Sequence, residues 1–130
     1  MIVLDACVVI ALFDSTAAHH AVAKDIVASD SALAMSVFSV AETLVGPERN
    51  DAGEQALDNL ARLGIRIVPL LEDDARDLAR TRANGRPRMP DAAVLHVALR
   101  LQATVATFDT RLQAAAVQAG LSVVPAPSSS

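Results

Sequence analysis

Short continuous apolar runs alternate with longer amphipathic segments along this chain. The runs at 2–4, 32–35, 65–70, 104–107 and 122–124 are predicted strands. Between them, residues 7–13, 16–28, 38–45, 54–63, 73–83, 91–101 and 111–119 have helical spacing. In the second of these, Ala21, Val22, Ile26 and Val27 fall on that period. Gly46-Pro47, Gly64 and Gly120 predict helix ends. Short apolar strands separated by helices require a parallel sheet covered on both faces. The prediction is one three-layer α/β domain over 1–127, with a five-stranded parallel sheet flanked by helices and a frayed tail at 128–130. Residues 47–51 and 84–90 are the predicted mobile loops.

A length of 130 residues fits one domain, and 52% apolar against 20% charged residues excludes a disordered chain. With three Phe and neither Trp nor Tyr, base-stacking platforms of the single-strand-binding kind are not expected. A net charge of −4 argues against a broadly basic nucleic-acid coat but leaves room for a local basic patch. The single cysteine, Cys7, has no internal disulfide partner, which fits a reducing compartment. No signal-peptide pattern opens the chain, and the apolar stretch 7–13 is too short to span a bilayer. The expectation is a soluble, cytoplasmic protein with no membrane partner.

The acids are more informative. In open parallel sheets, ligands bind beyond the carboxyl ends of the strands. Asp5 lies at that end of the first strand, and Asp109 follows the fourth by two residues. Asp91 opens a helix, and Glu42 is predicted in the first turn of the helix after the second strand. All four therefore fall where they can converge on one edge of the sheet. Four carboxylates gathered without matching cations repel one another, and a hard divalent ion such as Mg²⁺ or Mn²⁺ relieves that repulsion. Each acid alone also fits a helix cap: Asp5 before Ala6, Ser39 with Glu42 as a capping box, Asp91 after Pro90, and Asp109 before Thr110. Glu72, Asp73, Asp74 and Asp77 read instead as a solvated helix start.

Four stretches carry a resemblance to a known family. They are Ile2-Val3-Leu4-Asp5-Ala6-Cys7-Val8-Val9-Ile10, Ser36-Val37-Phe38-Ser39-Val40-Ala41-Glu42, Pro90-Asp91-Ala92-Ala93-Val94-Leu95 and Ala106-Thr107-Phe108-Asp109. In this order and spacing the chain resembles a PIN domain, most closely the small ribonuclease toxins of VapC type, over residues 1–125. The resemblance implies a metal-dependent endoribonuclease site, a homodimer, and inhibition by a small antitoxin protein. It assigns Asp5, Glu42, Asp91 and Asp109 as the acidic quartet. Where the family commonly has Ser or Thr two residues after the first acid, this chain has Cys7.

Arg76, Arg80, Arg82, Arg86 and Arg88 crowd the approach to Asp91. Arg76 and Arg80 fit a solvated helix face paired with Glu72 and Asp77. Arg86 and Arg88, in a loop with Gly85 and Pro87, are placed to hold RNA phosphates. His19 and His20 are adjacent on a predicted helix and cannot both face one metal, so they read as surface residues. His96 lies five residues after Asp91 and reads as packed or interfacial, and Cys7 as a buried small hydrophobe rather than a nucleophile. No phosphate-binding glycine loop and no nucleophile-elbow serine is present.

The function expected from these features is that of a metal-dependent endoribonuclease cleaving RNA phosphodiester bonds. It would be the toxin of a type II toxin–antitoxin system and would inhibit translation. Asp5 and Asp91 are the central metal ligands, with Asp109 and Glu42 completing or orienting the shell around Mg²⁺ or Mn²⁺. The expected partners are a cognate antitoxin, the RNA substrate and a second copy of the chain. Two alternatives stand beside this: a catalytically weak RNA- or protein-binding module on the same fold, and a metal-dependent DNA nuclease or phosphatase.

Overall fold

A computed structural model describes residues 1–85 and 87–127. Its strands are β1 (Ile2–Leu4), β2 (Leu33–Ser36), β3 (Ile65–Val68), β4 (Thr104–Ala106) and β5 (Val123–Val124). They pair in the order β3-β2-β1-β4-β5, all parallel. The helices are α1 (Ala6–Leu12), α2 (His20–Ala28), α3 (Val37–Arg49), α4 (Gly53–Arg62), α5 (Ala75–Ala83), α6 (Met89–Leu101) and α7 (Thr110–Gln118). The α/β class and the five-stranded parallel sheet follow the sequence prediction. The expected tail at 128–130 lies outside the described residues.

Successive strand residues point to opposite faces, and the core divides accordingly. Ile2, Leu4, Leu33 and Met35 join Val8, Val9, Ile26, Val40 and Leu60 on one side. Val3, Ala34 and Val105 join Val94, Val97, Ala98, Leu112 and Ala116 on the other. The central strands β1, β2 and β4 are buried on both faces and show no polar alternation, whereas the edge strand β3 exposes Arg66 and Ile67. Alanine is placed where close packing needs it: α6 buries Ala92, Ala93 and Ala98 beside Val94, Leu95 and Val97. No helix among the described residues is long and apolar enough to cross a membrane.

Several predicted boundaries shift, and three of the shifts stand out. The third helix runs through Gly46-Pro47 to Arg49 instead of stopping there. Proline normally forces its predecessor out of the α region by clashing with that residue's Cβ, and Gly46 has none. The helix therefore continues and absorbs part of the predicted loop. The second helix starts only at His20, because Asp14 folds residues 14–16 into a turn by accepting from the Thr16 N–H and hydroxyl. Finally, Glu72–Asp74 forms a separate 3-10 turn before α5. Gly64 and Gly120 end their helices as predicted, with φ of 74° and 86°.

Candidate active site

In a parallel sheet every strand delivers its next residues to the same edge. Here β1 delivers Asp5, β2 delivers α3 with Glu42, and β4 delivers Asp109. Helix α6 starts at that edge and supplies Asp91 from its first turn. The four acids line a single cleft of about 450 Å³, together with Cys7 and Arg88. Two larger hollows, of about 670 and 630 Å³, contain none of the four. The site is therefore identified by its chemistry rather than its size.

Asp5 is held hardest. Its Oδ1 accepts from the Ala6 N–H at 2.9 Å, so it does cap α1. Its Oδ2 accepts from the Thr107 hydroxyl at 2.8 Å and the Cys7 thiol at 3.2 Å. A carboxylate has about four lone-pair sites. Three are engaged here, which leaves Oδ1 with capacity toward the cleft. Asp109 likewise caps its helix, accepting from the Arg111 N–H at 2.9 Å. Capping and site membership thus coexist at Asp5 and Asp109.

Among the described residues, Glu42 and Asp91 make no such bond, which removes the capping explanation for both. The capping box expected from Ser39 and Glu42 is absent: Ser36 caps α3 by accepting from the Ser39 N–H at 3.1 Å. The helix starts earlier than predicted, so Glu42 lies in its second turn, half-buried and facing the other acids. Burial, then the charges of Asp5 and Asp91, push the Glu42 carboxyl above its ordinary range. Burial, then Asp109 and Asp5, push Asp91 up in the same way. Arg88 opposes both shifts. This is the mutual repulsion expected of carboxylates gathered for a cation.

The donor set is hard oxygen. Among the described residues, no three His, Cys, Asp or Glu side chains form a ready-made shell for a metal ion. Such a set fits an ion that keeps several waters and takes one or two carboxylates directly, the usual habit of Mg²⁺.

Sequence reasoning overlooked Thr107. It is fully buried at the end of β4, and its hydroxyl both donates to Asp5 and accepts from the Asp109 N–H at 3.1 Å. The available signal was its spacing, two residues before Asp109 at a strand end. Cys7 is half-buried and takes part in the polar network instead of only filling the core. Its sulfur accepts from the Phe108 N–H at 3.4 Å, and burial and then the Asp5 charge push the thiol to about 11.

Arg88 lines the cleft, whereas Arg86 lies outside the described residues. Arg80 pairs with Asp77 on an exposed face, as expected. Asp74 is a correction. Rather than being solvated, it is buried, accepts from the Leu71 N–H at 2.7 Å, and sits 2.8 Å from His96 Nε2. Those partners hold its carboxyl below the ordinary range. His96 is therefore packed, fastening the turn before α5 onto α6, and it lines a different hollow from the quartet.

With this geometry in hand, comparisons with known proteins are consistent. The family model for the PIN domain matches residues 2–118. The fold is similar to Mycobacterium tuberculosis VapC20, a Sarcin-Ricin loop cleaving toxin, with a TM-score of 0.73 and 21% identity over 88% of this chain and 95% of that one. It is similar to a chain of a toxin–antitoxin complex from Klebsiella pneumoniae, with a TM-score of 0.73 and 21% identity over 88% and 91%. It is also similar to a chain of FitAcB from Neisseria gonorrhoeae, with a TM-score of 0.70 and 24% identity over 95% and 96%. No curated protein resembles the chain closely enough in sequence to count as a match.

Proposed function

The chain belongs to the PIN domain family, and on that premise we propose that it is a Mg²⁺- or Mn²⁺-dependent endoribonuclease, the toxin of a type II toxin–antitoxin pair that inhibits translation. The observation that carries this reading is the convergence of Asp5, Glu42, Asp91 and Asp109 on one cleft with Arg88 at its edge. Asp5 and Asp91 would hold the ion, and Asp109 would complete its ligands. When bound, a hard divalent ion lowers the pKa of a coordinated water and stabilises charge on the phosphodiester. Glu42, with its raised affinity for protons, is suited to orient the attacking water and take its proton. Thr107 and Cys7 keep Asp5 turned toward the cleft. Arg88 supplies a cation for the phosphate, and Arg86 is assigned the same role from its position in the sequence.

A cognate antitoxin is the proposed partner. The cleft offers a bound peptide acids for an inserted Arg or Lys, and Arg88 for an inserted carboxylate. A complex whose partner avoids both would refute that mode of inhibition. A homodimer is proposed as well, and the exposed apolar residues Val37, Phe38 and Val45 of α3 support it.

The test of function is cleavage of a mixed RNA pool by partner-free protein with Mg²⁺, Mn²⁺ or EDTA, alongside Asp91→Asn. Metal-dependent cuts that the variant loses support the proposal. No cuts with any metal would overturn it.

A further inference from the structure

We infer that His19 and Phe108 form a stacking platform for an unpaired nucleobase beside the acid cleft. The inference deepens the ribonuclease reading and rests on it. The two rings lie nearly parallel, 16° apart, with centroids separated by 4.3 Å. Phe108 stands between Thr107 and Asp109, and its N–H donates to Cys7, which lines the cleft. The Phe108 side chain is half-buried against the core. His19 covers it from outside and is itself exposed.

Among the described residues, the His19 side chain has no hydrogen-bond or ion-pair partner. It occupies the N-cap position of α2 but makes no side-chain capping bond. Its neighbour His20 is the one tied down, with Nδ1 at 2.9 Å from the Ala11 carbonyl oxygen. A ring held flat on another ring, with its remaining surface open, is already ordered for a third aromatic layer, and bases stack on such surfaces whatever their identity. The absence of Trp and Tyr predicted against a platform, yet Phe and His are sufficient to build one.

The charge balance gives the platform a purpose. A protein of net charge −4 cannot retain RNA by a general cationic surface. Stacking is insensitive to phosphate repulsion and would complement Arg88, which approaches the cleft from a different element. A strand whose phosphate lies at the acids would then be gripped at a base as well.

The test uses the full-length protein and short single-stranded RNAs carrying 2-aminopurine or one abasic residue at successive positions. The fluorophore should be quenched at one position by wild type and by His19→Phe, but not by His19→Ala or His19→Lys. KM should rise about tenfold in His19→Ala with kcat retained. An abasic residue at that position should cost wild type a similar factor and the Ala variant almost nothing further. Undiminished binding by His19→Ala, rescue by Lys but not Phe, or additive effects of the abasic residue and Ala would each overturn the platform and leave the nuclease standing. Wild type that neither binds nor cuts RNA would overturn the nuclease reading and the platform with it.

Discussion

The Thr107 hydroxyl donates to Asp5 Oδ2 at 2.8 Å while accepting from the backbone of Asp109, so one buried side chain sets the positions of two acids from different strands. Asp5 also has the Cys7 thiol on the same oxygen, but a thiol is a weak donor. On that oxygen the restraint therefore comes mainly from Thr107, while the Ala6 N–H holds the other.

Thr107→Val keeps the shape of the side chain and removes the hydroxyl. It leaves Asp5 Oδ2 with only the weak Cys7 donor and takes the partner of the Asp109 N–H, a loss of roughly 1–3 kcal/mol. The melting midpoint should fall, and Mn²⁺ should stabilise the variant less than it stabilises wild type. Thr107→Ser should recover both. A Val variant that responds to Mn²⁺ as wild type does would show that Asp5 needs no such restraint.

Arg88 has two separable effects. It lowers the proton affinity of Glu42 and Asp91, and in the proposed function it contacts phosphate. Arg88→Ala should raise both carboxyl pKa values further, moving the acid limb of the pH–activity profile upward. It should also reduce the salt slope of RNA binding by about 0.7, the value for one lost contact on a single strand. An unchanged slope with a shifted profile would confine Arg88 to tuning the acids.

Cys7 should be inert. A thiol with a pKa of about 11 is ionised at neutral pH in on the order of one molecule in ten thousand, against a few per cent for an ordinary thiol. Alkylation by iodoacetamide should be slow in the folded protein and should accelerate when denaturant is added. Rapid labelling of the native protein would mean that burial and the Asp5 charge do not govern this sulfur.

The site was legible in sequence because strand ends are legible. Asp5 and Asp109 are found by counting from apolar runs, and Asp91 by its place after Pro90. Glu42 was found for a partly wrong reason: its helix is capped by Ser36 and not Ser39, so the residue lies about a turn deeper than the capping box required. Contacts across long sequence separation were not legible. Nothing local distinguishes Asp74 from Asp73, yet only Asp74 meets His96, 22 residues away. Thr107 looked like an ordinary strand residue because its partner is 102 residues distant. Pattern reveals the faces of elements, whereas side-chain hydrogen bonds depend on how those elements are brought together.

Asp91→Asn separates a metal site from a set of caps, and its outcome can be worked out in sign. The Asp91 carboxyl is raised in the folded protein, first by burial and then by Asp109 and Asp5. A raised acid binds its proton more tightly folded than unfolded. Below the unfolded value, roughly 3.9, the carboxyl is neutral in both states and carries no penalty. As pH climbs from there through the folded pKa, the folded state must accept a charge it disfavours, and stability is lost. In EDTA the Asn variant should therefore be as stable as wild type or more so at neutral pH, with the difference vanishing near the unfolded pKa. Glu42 shifts in the same direction, so Glu42→Gln should behave alike. Metal reverses the ranking. Mn²⁺ that binds only the folded protein raises the wild-type midpoint with concentration, by mass action. Asp91→Asn should gain much less. Melts in EDTA at several pH values, then across a Mn²⁺ titration, read both effects from the same samples. Equal metal-induced shifts in the two proteins would remove Asp91 from the ligand set, and an Asn variant that falls below wild type in EDTA as pH rises would contradict the clustering of charge itself.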